Sequence, residues 1–178
     1  MNIRDLLLNP LGKGSANVAN RDVVLRDLEQ RYRKMLAEKK KFGTLAISKD
    51  GGVLLYVRVP SETLPADKLW YDVLIWAQTN PALVLTPNNW MQCEAQVWSN
   101  SPGFVFTYHY TAYKEKLLIP WKWLADKIPA VFRKDSPDTR NPQMVPMGYD
   151  KSIHWALFHI QNLRLYDLRE YSRADSIS

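Results

Sequence analysis

A chain of 178 residues, 46% hydrophobic and 24% charged, has an ordinary globular composition and is long enough for one domain to bury roughly two-thirds of its extended-chain surface. No apolar run approaches the roughly 18 residues that span a bilayer, the first residues do not read as a signal peptide, and a lone cysteine, Cys93, excludes an internal disulfide and fits a reducing compartment. The formal charge of +6 is unevenly placed: eight Lys or Arg against four Asp or Glu fall between Arg21 and Lys41, whereas the 43 residues from Trp70 to Ala112 hold only Asp72 and Glu94, so that stretch calls for burial.

Residues 1–19 read as an N-terminal arm. Pro10, Gly12 and Gly14 prevent one continuous helix, while Leu6, Leu7, Leu8 and Leu11 need cover. These four leucines are candidate subunit contacts, and folding back onto the chain's own domain is the equal alternative. A single globular domain is expected over 20–161. It opens with a helix from Asn20 to Phe42, capped by Asn20, striped by Leu25, Leu28, Tyr32, Met35 and Leu36, and closed by Lys39, Lys40 and Lys41 ahead of Gly43.

Thr44 to Ser48 and Val53 to Val59 flank an Asp50-Gly51 turn and predict a hairpin. Tyr71 to Thr79, Met91 to Trp98 and Phe104 to Tyr113 read as further strands, the last two joined by the Ser99-Asn-Ser-Pro-Gly103 turn. Pro120 to Ile128 suggests a short helix and 133–146 an irregular loop. Asp150 or Ser152 is placed to cap a last helix bearing Ile153, Leu157 and Ile160, and 162–178 form a polar C-terminal extension. The fold class is therefore α+β, an antiparallel β-sheet or small β-sandwich core of at least five strands with an N-terminal helix and a C-terminal helix.

Chemistry-bearing constellations are few. His154 and His159 stand five apart, on different faces of a helix, and His109 lies far upstream, so the three read as core-margin side chains rather than metal ligands. Asp72 and Glu94 read as solvent-facing acids on their strands. No nucleophile elbow or phosphate loop is present, and the expectation is a protein with no catalytic residues, no metal and no cofactor. The basic helix supports one alternative, a nucleic-acid-binding protein. Arg31, Arg33, Lys34, Lys39, Lys40 and Lys41 would then meet phosphates, and Trp98, Tyr108 and Tyr110 would stack on bases.

Three passages carry a resemblance: Lys39-Lys40-Lys41-Phe42-Gly43 with the strand after it; Tyr71-Asp-Val-Leu-Ile-Trp76; and Ser99-Asn-Ser-Pro-Gly-Phe-Val-Phe-Thr-Tyr108 with Leu117-Leu-Ile-Pro120. Together they resemble small virion structural proteins of tailed bacteriophages, components of the head, neck or tail. The resemblance covers Asn20 to Pro120 and brings no catalytic residues. It implies a structural assembly protein, whether capsid, connector or tail component, acting by protein–protein contact. Its partners would be other virion proteins and further copies of itself, with nucleic acid secondary and no membrane. It would be assembled in the host cytoplasm and reside in the virion.

Overall fold

The computed structural model describes residues 2–8, 21–49, 52–65, 69–78, 90–114, 116–121, 124 and 150–163. Its centre is a four-stranded antiparallel meander in the order β1 (Gly43–Lys49), β2 (Gly52–Pro60), β3 (Trp70–Gln78), β4 (Glu94–Ser99). The register runs Leu45↔Tyr56↔Leu74↔Trp98 on one face and Ala46↔Leu55↔Ile75↔Val97 on the other. The period-two alternation of side chains thus gives each face its own apolar set.

The Leu55 face carries the main core. Helix α1 (Ile3–Leu8), helix α2 (Arg21–Ala37) and the C-terminal helix, here α4 (Lys151–Leu163), bury Ile3, Leu6, Tyr32, Met35, Ile153, Leu157 and Ile160 against it. Helix α4 is the central element, with Ile153, Ala156, Leu157 and Ile160 fully buried. A second, smaller cluster on the opposite face joins Leu54, Leu74 and Trp98 to Ile119 and Leu124.

The expected α+β class holds, with helices before and after an antiparallel sheet. Three details differ. First, Phe104 to Tyr113 is helical: a π-helical turn at Phe104–Tyr108 runs into α3 (His109–Lys114). The Ser101 hydroxyl accepts the Phe104 N–H at 3.2 Å and the Ser101 carbonyl accepts the Val105 N–H at 2.9 Å. Pro102 follows at the first helical position, where its fixed φ and missing N–H suit a helix start. The Ser-Pro pair is a helix cap here, and the described strands number four.

Second, α2 stops at Ala37, before the lysine run. Lys39 adopts φ 58°, Lys40 N–H reaches Met35 O at 3.0 Å and Lys39 N–H reaches Leu36 O at 2.9 Å. This left-handed terminus is usually built on glycine. A tertiary contact decides it: the Lys40 ammonium donates to the carbonyls of Ser61 at 2.6 Å, Glu62 at 2.5 Å and Leu64 at 3.2 Å. Third, Met91 and Gln92 belong to a 3₁₀ turn (Trp90–Gln92), and β4 begins at Glu94. Asn20, Asp50, Gly51 and 133–146 lie outside the described residues, as does most of the helix expected at 120–128.

Candidate functional site

Three chain segments meet where β4 ends. Ser99 closes the strand, Ser101 caps the helical run 102–114, and Asp150 caps α4 by accepting the Ile153 N–H on Oδ1 at 2.9 Å. The Ser152 hydroxyl donates to the same Oδ1 at 2.5 Å and lies 3.0 Å from the Ser99 hydroxyl and 3.1 Å from the Ser101 hydroxyl. Ser99, Ser101, Asp150 and Ser152 are all buried, Asp150 with 2% of its surface exposed. Burial raises the Asp150 carboxyl above its usual range, although the Ser152 hydroxyl and the Ile153 and Ser152 amides pull it down.

A cleft of about 400 Å³ opens beside this cluster. Its walls include Ser61, Glu62, Tyr71, Gly103, Tyr108 and Trp155. Burial, and then the Asp150 charge, push the Tyr108 hydroxyl up. Glu62 is held by Arg31, whose Nε donates to Oε1 at 2.5 Å and whose second nitrogen pairs with Oε2. That bond, ahead of all other influences, holds the Glu62 carboxyl below the usual range. The Arg31 guanidinium also lies 5.6 Å from the Trp155 ring centroid, a cation–π arrangement.

The sequence-derived candidates fall in different places. Leu6 and Leu7 are 1% and 9% exposed and belong to the chain's own main core with Ile3, so the arm folds back over its first residues. The anchoring bonds are Ile3 N–H to Cys93 O at 3.0 Å and a contact of 3.2 Å between His154 Nε2 and Leu7 O. The reason is hydrophobic: leucines that would otherwise stand in water find a pocket between β4 and α4. Leu8 ends α1, with its side chain outside the described part, and Leu11 lies outside the described residues.

Among the basic residues, Arg31 and Lys40 make the internal bonds above. Arg33 pairs with Glu29 at 2.6 Å on α2, and Lys34 with Glu38, just past the end of the helix, at 3.8 Å; all four side chains are exposed. Lys39 forms the helix terminus and Lys41 is exposed beyond it. Arg31 and Lys40 are thus engaged internally, while Arg33, Lys34, Lys39 and Lys41 are exposed. Trp98, at 2% exposure, is core and cannot stack on a base; Tyr108 is half-buried and the Tyr110 side chain is outside the described part.

The histidines serve packing. His159 stacks on Phe42 with centroids 4.5 Å apart and meets the Tyr32 hydroxyl at 3.0 Å, while His109 packs edge-on to Phe104. Burial pushes His154 and His159 down to about 4, so both are neutral near pH 7. Among the described residues no three His, Cys, Asp or Glu side chains group as metal ligands, and no helix is long and apolar enough to cross a membrane. Asp72 accepts the Tyr56 hydroxyl at 2.7 Å and lies 3.5 Å from Arg58, and Glu94 is exposed.

The two sheet edges are treated differently. The β4 edge is covered at both ends: Val97 exchanges backbone bonds with Leu117 O at 2.6 Å and Ile119 N at 3.2 Å, and Asn2 bridges Glu94. Nothing among the described residues pairs with the outer edge of β1, where Leu45 and Ile47 are each 38% exposed on one face. Neither the cleft nor this edge announces itself in sequence motifs. The cleft arises from segments distant in the chain, the free edge from β1 standing first in the meander. No family model, no curated protein and no solved structure matches the chain, so its function is argued from these surfaces and from residue chemistry.

Proposed function

We propose that this chain is a structural assembly protein of a tailed-phage particle, a capsid, neck or tail component, working through protein–protein contact. The observation that carries this reading is the β1 edge. Strand β1 has no proline and carries its one charge at its last residue, Lys49, and among the described strands it ends the sheet, with Leu45 and Ile47 exposed. Edge strands of proteins that remain solitary are usually blunted by charge, proline or a covering segment. The β4 edge of this same sheet is covered, which sets β1 apart as a strand for pairing with another subunit. The sequence resemblance supports a virion, assembled in the host cytoplasm, as the setting of that pairing. Nucleic acid is the weaker reading, because Arg31 and Lys40 are engaged internally and Trp98 is buried.

The test is mass spectrometry of gradient-purified particles from the producing host, together with sedimentation of the purified chain. The expected result is the chain in the particle at fixed copy number. Ile47→Lys, placed on an exposed site, should abolish its incorporation while its circular dichroism is unchanged. Absence from the particle, or undiminished incorporation of the variant, would sink the proposal.

A further inference from the structure

We infer that the cleft beside α4 binds an organic cation, a primary ammonium on a short apolar stem, with the Asp150 carboxylate as its counter-ion. This is independent of the assembly role. Asp150 is only 2% exposed, lines the cleft, and has no ion pair among the described residues. A buried carboxylate without a cation is costly, and its siting beside a cavity makes it a candidate for ligand recognition.

The two carboxylate oxygens have different surroundings. Oδ1 takes the Ser152 hydroxyl and the Ile153 N–H. Neither of those bonds uses Oδ2, which lies 3.5 Å from the position a Cβ would take on Gly103. A Cβ on Gly103 would touch Oδ2 at ordinary van der Waals distance, so a longer side chain there would cover that oxygen, and glycine leaves it approachable. Pro102, Tyr108 and Trp155 supply apolar surface for a stem.

The charges around the cleft select the sign of the ligand. Glu62 also lines it but is already met by Arg31. Lys151 lines it as well; its side chain is exposed, and its charge acts on Asp150 only as the weakest of the influences lowering that carboxyl. An anionic ligand would have to approach Asp150 itself, which occupies the N-terminus of α4 where an anion would otherwise sit. A cation instead meets a carboxylate that has no ion pair among the described residues.

The test is a titration of the ¹⁵N-labelled full chain with n-butylammonium chloride, followed by NMR at constant ionic strength. n-Butanol and sodium butyrate are the neutral and anionic isosteres. The expected result is saturable shifts at the amides of Gly103, Lys151 and Ser152 with the amine, at least tenfold weaker with either isostere. Asp150→Asn, which keeps a capping side chain, should weaken amine binding at least tenfold. Gly103→Leu, at an exposed position, should do the same by blocking the approach to Oδ2, and it decides the matter if the Asn variant does not fold. No saturable shift with the amine, equal binding of butanol, or full binding by the folded variants would each overturn the site.

Discussion

The first turn of α4 holds two buried titratable groups whose contributions to stability run oppositely with pH. Asp150 has its folded pKa raised, chiefly by burial. Its contribution is therefore fully present below the unfolded value of 3.8 and is lost as pH rises through the folded value. Asp150→Asn retains the cap and removes the buried charge. Denaturant unfolding of this variant at several pH values between 5 and 8 should show a stability equal to or above that of the parent, with less decline toward alkaline pH. His154 is the reverse case. Its pKa falls from 6.5 to about 4, so its contribution is complete above 6.5 and is lost as pH drops toward 4. A tenfold change in proton affinity corresponds to about 1.4 kcal/mol, so His154 alone accounts for about 3 kcal/mol of acid destabilisation. Its ring nitrogens lie near two carbonyl oxygens, Asp150 O and Leu7 O, and a neutral ring has only one N–H to donate. Tryptophan fluorescence during acid titration should report unfolding within the window 6.5 to 4. Flat stability across it would refute the neutral assignment.

At the level of elements, two backbone positions set the boundaries of α2 and β2. Lys39 holds a left-handed conformation that glycine adopts without cost. Lys39→Gly should raise stability by about 1 kcal/mol, read as a higher midpoint in thermal melts. Gly52 opens β2 against Trp76, and a Cβ there would stand 2.6 Å from the Ala77 carbonyl oxygen. Backbone cannot retreat as a side-chain tip can, so Gly52→Ala should cost about 1–3 kcal/mol. An unchanged melting temperature would show that the strand shifts freely.

These same elements show what was legible in the chain. Alternation gave β1 to β3 to within a residue or two, because Val53, Leu55, Val57 and Val59 point one way and Arg58 the other. The α2 stripe was legible for the same reason at helical period. Phe104 to Tyr113 was not: its aromatic residues, with Thr107, His109 and Thr111 at every second position, imitate the alternation of a strand. The decisive signal was local, the hydroxyl of Ser101 before Pro102. The lysine run misled because the helix end depends on the Ser61 to Leu64 carbonyls, which no local rule supplies. Of the candidate site, Asp150 was legible only as a helix cap. Its meeting with Ser99 and Ser101 depends on contacts some 50 residues apart.

For the whole molecule, α1 is part of the core rather than a detachable arm. Ile3 and Leu6 are almost fully buried and Leu7 nearly so. At about 1.5–3 kcal/mol for each buried aliphatic side chain, losing all three removes on the order of 5 kcal/mol, comparable with the total stability of many domains. Deleting residues 1–8 should therefore lower the urea midpoint sharply or leave the chain unfolded. A truncated chain that melts like the parent would show that α1 contributes contact without stability.

The position of α1 also orders events during synthesis. The hairpin and meander from Gly43 to Gln78 join neighbours in sequence and can pair as they leave the ribosome. Ile3 must wait for Cys93, and Leu7 for His154, a partner 147 residues further on. Until then its leucines travel uncovered, which makes the nascent chain, rather than the finished one, the form most exposed to chaperones and to premature self-association.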